Sequence, residues 1–248
     1  MQPDAELQRL IDECYAAFSD YPRPRTLHAS PLRDPAEILK TLTSAPLRQL
    51  TGEQIGPYAG YALTTVGDVF DYKHFLPRIL EEAVHEPFWV GTNPPVIAGK
   101  LRRAEWLQWP AHEQAAIRAL FTGACAQAVE EHPDDADCAN WICAMAMLAL
   151  DLTAIMEAWL IASSANATVQ LAYFVSSTSG FLFATDVFES AYWGNLDEDQ
   201  IYWMRQWVLS EPVYRVLLTT QRQLNPSRDE NVDKALEFLA SLKSPRLH

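Results

Sequence analysis

Glycine is scarce in this chain, nine in 248 residues, and cysteine scarcer still at four. Neither G-x-x-x-x-G-K-[ST] nor G-x-G-x-x-G occurs, so no loop of successive backbone N–H groups is laid out to cradle a phosphate. G-x-S-x-G and H-E-x-x-H are missing too, which removes the familiar serine-hydrolase and zinc-protease readings. Cys14, Cys125, Cys138 and Cys143 contain no C-x-x-C pair and have no His at ligand spacing; reduced thiols in an apolar core are expected, with no metal and no other cofactor. Cations are few, 19 Lys and Arg against 32 Asp and Glu, a net charge of −13 that disfavours a nucleic-acid partner. The longest apolar run, Cys138 to Leu150, is broken by Asn140 and followed by Asp151, well short of the roughly 20 residues of a membrane span. No membrane partner is expected. The first residues show no basic stretch leading into an apolar one, so a cytoplasmic location is expected.

What is present is a globular composition. Hydrophobic residues make up 49% and aromatics 11%, enough to rule out a disordered chain. Leu7, Leu10, Ile11, Cys14 and Phe18 recur at helical steps, and Asp34-Pro35 reads as an N-cap followed by proline in the first turn. From Pro110 onward short apolar periods follow one another, each opened by an acid or a Pro, as at Asp134 or Asp135, at Asp197 and at Glu211-Pro212, and a last one at Arg228 or Asp229. Val169 to Val175 and Phe181 to Val187 have strand-like composition, but their surroundings favour buried helix. Pro57 and Pro77 fall inside helical patterns and predict an interruption near Gly56-Pro57 and a kink, or two short helices, after Gly67-Asp68. The expected fold is all-α, an irregular multi-helix array of antiparallel helix pairs of α-solenoid or HEAT-like type. It is expected to form a single helical domain over 1–248, with a looser N-terminal third at 1–66.

Polar groups that carry chemistry are scattered. Glu82-x-x-His85 is half of a di-iron carboxylate site, but no second copy exists. Asp134, Asp135 and Asp137, like Asp197, Glu198 and Asp199, suit the positive ends of helices, and the second group is also a candidate binding patch. Trp193 and Trp203 are candidate recognition residues, since large aromatics dominate interface energetics. The acidity is uneven, with net −2 over 1–104 and net −11 over 105–248.

One segment is distinctive: Thr64 to Glu81 reads TTVGDVFDYKHFLPRILE. It places Asp68 and Asp71 before a helix and Lys73, His74 and Arg78 along it. The segment resembles the signature of an uncharacterised family of bacterial helical proteins, T-x-x-G-x-x-x-D-[YF]-K-[HY]-F-L-P-R-[IL]-L-E, over about twenty positions. Some members of that family resemble the immunity partners of polymorphic or type VI secreted toxins. The resemblance, the missing catalytic motifs and the C-terminal acidity together imply an interaction protein: a cytoplasmic immunity protein that neutralises a cognate toxin, its partner a basic secreted domain steered by charge. On that reading Asp68, Asp71, Arg78, Trp193, Trp203, Asp197, Glu198 and Asp199 are the binding candidates. Two alternatives stand beside it. One is an all-helical enzyme with a polar site around Asp68, Asp71, His74 and Arg78, in which Asp71 and His74 carry acid–base chemistry. The other is a helical scaffold of an endogenous complex.

Overall fold

A computed structural model describes residues 1–86, 91–162, 164–183, 191–223 and 230–243, and every regular element in them is helical. Helix α1 (Ala5–Ala17) starts where Asp4 Oδ1 accepts the Leu7 N–H at 2.7 Å. Its buried face, Leu7, Leu10, Ile11 and Cys14, lies on α6 (Ala111–Ala128). The approach is close because Gly123 of α6 has no side chain: a Cβ there would stand 2.5 Å from Leu10 Cδ1. Gln127 of α6 ties the chain start down, accepting from Asp4 N at 3.0 Å and donating to Gln2 O at 2.6 Å.

After α2 (Pro35–Leu42), capped by Asp34 as its sequence predicts, α3 (Gly52–Tyr61) and α4 (Val69–His85) each run straight through a proline. The expected interruption at Pro57 and the expected division at Pro77 are therefore absent as breaks in the helices. Each proline removes one N–H, and in α4 the Lys73 carbonyl loses its donor four residues on. Burial outweighs that cost of about 3 kcal/mol, since Tyr72, Phe75, Leu76, Ile79, Leu80 and Val84 are wholly enclosed.

The middle of the molecule is α7 (Cys138–Met147), buried on every side except at Asn140 and therefore apolar around nearly its whole circumference. Helix α5 (Pro94–Arg103) and α6 cover it. Beyond it come α8 (Thr153–Ile161) and α9 (Ala165–Tyr173), the latter running into a π-helical turn at Phe174–Thr178 and the short α10 (Ser179–Leu182). The stretch Val169 to Val175 is thus helical; of Phe181 to Val187, residues 184–187 lie outside the described residues. Helices α11 (Glu198–Val208), α12 (Glu211–Gln223) and α13 (Glu230–Lys243) complete the chain, and the expected start of α13 at Arg228 or Asp229 also lies outside the described residues.

The strongest packing joins α1 to α6 and α5 to α7, followed equally by α6 to α7, α9 to α13 and α12 to α13. A solenoid stacks each unit only on its sequence neighbours, so this order does not confirm solenoid or HEAT-like stacking within the all-α class. One contiguous apolar cluster extends from Leu7 to Leu239, and all four cysteines are buried in it and unpaired. Burial pushes the Cys14, Cys125 and Cys143 thiols up to about 12.

Candidate functional site

The distinctive segment is built mainly into the scaffold. Gly67, with φ of 69°, makes the turn that leads into α4. Asp68 Oδ1 then accepts the N–H groups of Phe70 at 2.8 Å and Asp71 at 3.0 Å, while Asp71 Oδ2 accepts the Asp68 N–H at 3.0 Å. The two carboxylates form a reciprocal capping box. Partial burial, together with the neighbouring Asp68 charge, pushes Asp71 above the usual carboxylate range against the pull of its backbone hydrogen bond.

Arg78 lies nearly two turns further on, and each of its three nitrogens makes a hydrogen bond inside the molecule. Its Nε donates to Leu50 O at 2.7 Å, one terminal nitrogen pairs with Glu81 at 2.6 Å and the other with Glu82. The Tyr15 hydroxyl of α1 donates to the same Glu81 carboxylate at 2.6 Å. Arg78 therefore clips α4 to α1 and to the turn before α3, and the structure does not bring it to the Asp68–Asp71 cap.

His74 Nδ1 is 2.9 Å from Tyr21 O. A carbonyl only accepts, so the proton sits on Nδ1 and leaves Nε2 as the ring's acceptor. Burial holds the imidazole below its ordinary value, assisted by the Arg23 charge and opposed by the Tyr21 bond and by Asp71. The unfolded chain thus takes up this proton first as pH falls, and stability that is fully present above an imidazole's usual pKa near 6.5 is lost on descending through the folded value. Wild-type unfolding free energy is expected to fall more steeply between about pH 7 and about pH 5 than that of His74→Gln; superimposable curves in urea titrations would rule this out.

Lys73, which the sequence places on α4 without naming a partner, is with Glu82 the charged residue this helix buries most deeply. Lys73 is 6% exposed and pairs with Glu113 of α6 at 2.7 Å; it also donates to the Tyr21 hydroxyl at 2.8 Å, and that hydroxyl donates to Glu113 at 2.6 Å. The ammonium also lies over the Trp109 ring, 4.2 Å from its centroid. A lysine between Tyr72 and Phe75 on the helix's apolar side is the available hint, and it names no partner.

The second candidate region is at the start of α11. Asp197 caps the helix in a reciprocal box with Gln200, whose Nε2 donates to Ala146 O at 2.7 Å and anchors α11 to the end of α7. Between them runs a groove of about 330 Å³ lined by Leu150, Asp151, Leu152, Asp199 and Trp203, among others. Trp203 is 40% exposed and its neighbour Tyr202 63%. Asp151, held below the usual carboxylate range by its hydrogen bonds to Thr153, forms the wall opposite α11. Asp151, Asp197, Glu198 and Asp199 are exposed and none is in an ion pair with a described residue. Trp193 is elsewhere: it is only 5% exposed and packs on Phe174 with ring centroids 6.2 Å apart. Asp151 has a sequence signal only as a helix cap, and its role in the groove depends on Ala149 turning the chain with φ of 53°.

Among the described residues no three His, Cys, Asp or Glu side chains converge as metal ligands, and no helix is long and apolar enough to cross a membrane. No family model, curated protein or solved structure matches the chain.

Proposed function

We propose that the chain is an interaction protein that receives a basic segment of a protein partner in the α7–α11 groove, and that it serves in the bacterial cytoplasm as an immunity protein neutralising a cognate toxin. The observation that carries the reading is the exposed Trp203 ring standing with Asp151 and Asp199 in one groove, the carboxylates lacking any counter-charge among the described residues. An Arg or Lys entering there gains ring contact worth about 0.5–2 kcal/mol and meets unpaired carboxylates. The net −11 over 105–248 adds long-range attraction for a basic surface. The likeness of the Thr64 to Glu81 segment to the helical family with immunity-like members supports the same reading, although that segment's side chains act inside the scaffold.

The test is capture of the partner from host extract, followed by kinetics on the purified pair. Association is expected to slow by at least about tenfold between about 50 and about 500 mM salt. Trp203→Ala is expected to weaken binding by roughly ten- to thirtyfold, about 1.4–2 kcal/mol. The captured protein, expressed alone, should arrest growth, and co-expression of this chain should restore it. A rate indifferent to salt together with unaltered binding by Trp203→Ala defeats the groove; a partner harmless to cells defeats the immunity assignment.

A further inference from the structure

At the opposite end of α7, about 15 Å along its axis from the groove, lies a separate cavity of about 270 Å³. Its polar side is formed by Asn93, at the start of α5, and Asp137, the N-cap of α7. Its other side is aromatic: Tyr173, Phe181, Tyr192 and Trp193. Two features of this lining are unresolved by the protein's own contacts. Asn93 Oδ1 is buried and has no hydrogen-bond donor. Asp137 accepts only from the first turn of its own helix, Oδ2 from Asn140 Nδ2 at 2.7 Å and Oδ1 from the Asn140 backbone N–H at 3.3 Å, with the Ala139 backbone N–H beside it, and meets no cationic side chain among the described residues. Burial accordingly pushes this carboxyl up. Tyr173 also sits where α9 gives way to the π-helical turn, an irregularity frequent at functional sites.

An acceptor without a donor and a carboxylate without a cationic partner, opposite aromatic rings, define the ligand's chemistry. It must bring N–H donors and positive charge on an apolar body. Asp137 is the single carboxylate in the lining, a weak offer to a hard divalent cation, whereas aromatic walls attract an organic cation. We propose that this cavity binds a primary alkylammonium group, its N–H donors shared between Asn93 Oδ1 and Asp137 and its alkyl stem enclosed by Phe181, Tyr192 and Trp193. The ammonium belongs either to a free small amine or to a lysine side chain presented by a partner. The site is independent of the groove and of the immunity reading.

Calorimetric titration of the whole chain with n-butylamine hydrochloride tests it, with blocked lysine (N-acetyl-lysine N-methylamide) as a second probe. One saturable site is expected. Asp137→Asn keeps a side-chain oxygen for the cap but removes the charge, and should weaken binding by at least about tenfold at an unchanged melting temperature. Asn93→Asp adds a second carboxylate and should tighten binding severalfold, which keeps the proposal testable if Asp137→Asn does not fold. Blocked lysine binding as well as butylamine identifies a partner's side chain as the source; much weaker binding identifies a free amine. Absence of saturable heat with both probes overturns the site, as does an Asp137→Asn or Asn93→Asp chain that binds as wild type.

Discussion

Glu113→Ala is expected to destabilise the protein by about 3–5 kcal/mol, a fall in Tm of about 10 °C for a chain of this size. Glu113 is 2% exposed, and its carboxylate is the counter-charge of Lys73 and the acceptor of the Tyr21 hydroxyl. Removing it leaves an ammonium enclosed by Tyr21 and Trp109 with nothing to neutralise it. The contact with the rings cannot compensate, because cation–π attraction is worth at most about 2 kcal/mol where desolvation of a lone charge costs several. The loss is therefore mainly the penalty of an orphaned charge and not the value of the bond. That distinction has its own consequence: the triple replacement Tyr21→Phe, Lys73→Met, Glu113→Leu, which takes away all three polar partners at once, should recover most of the stability. Urea denaturation of the three chains decides it. A Glu113→Ala chain within about 1 kcal/mol of wild type would mean that water reaches Lys73 and that the pair is not buried as its exposure indicates.

This pair also shows where sequence reading stops. The Asp68–Asp71 capping box joins residues three apart, and caps of that kind are written in local order. Asp34 before Pro35 and Asp197 before Glu198 are legible for the same reason. Lys73 depends on Tyr21, 52 residues away, and on a glutamate of another helix, and no local pattern encodes either. Pro57, and Pro77 as a point of division, mislead in the opposite direction: the local cost is real, but the core that encloses α4 outweighs it, so the helices continue. The all-α class follows from periodicity, whereas the order of packing, α1 on α6 and α9 on α13, is fixed by contacts across most of the chain. The recognition candidates divide similarly. Trp193 and Trp203 are equivalent in the sequence, yet one is turned inward against Phe174 and the other opens on the groove, a difference set by which face of its element meets the core. The cavity was invisible because Asn93, Asp137 and Tyr173 come from three separate elements.

Trp159→Ala is the other substitution expected to act strongly, at about 3–5 kcal/mol. The Trp159 ring stacks on Trp207 at 5.9 Å and meets Phe174 edge-on at 5.5 Å, while its indole N–H donates to Ala167 O at 2.7 Å in a wholly buried position. One side chain thus joins α8 to α9, to the π-helical turn and to α11. Alanine would leave a cavity of nearly a whole indole and remove the hydrogen bond that ties α8 to α9, and the two losses fall in one place. Trp159→Phe separates them: it keeps most of the ring but loses the N–H, and should cost about 1–3 kcal/mol. The position also links the two binding regions. Trp207 lies one turn beyond Trp203 on α11, and Phe174 supports Trp193 in the wall of the cavity. Loosening Trp159 should therefore raise hydrogen exchange first in α8, α9 and α11 while α1, α4 and α6 remain protected, since those three are held by the Gly123 contact and the Arg78 and Lys73 pairs. Uniform exchange across all helices at mild destabilisation would show instead that the chain unfolds as one unit and that Trp159 has no regional role.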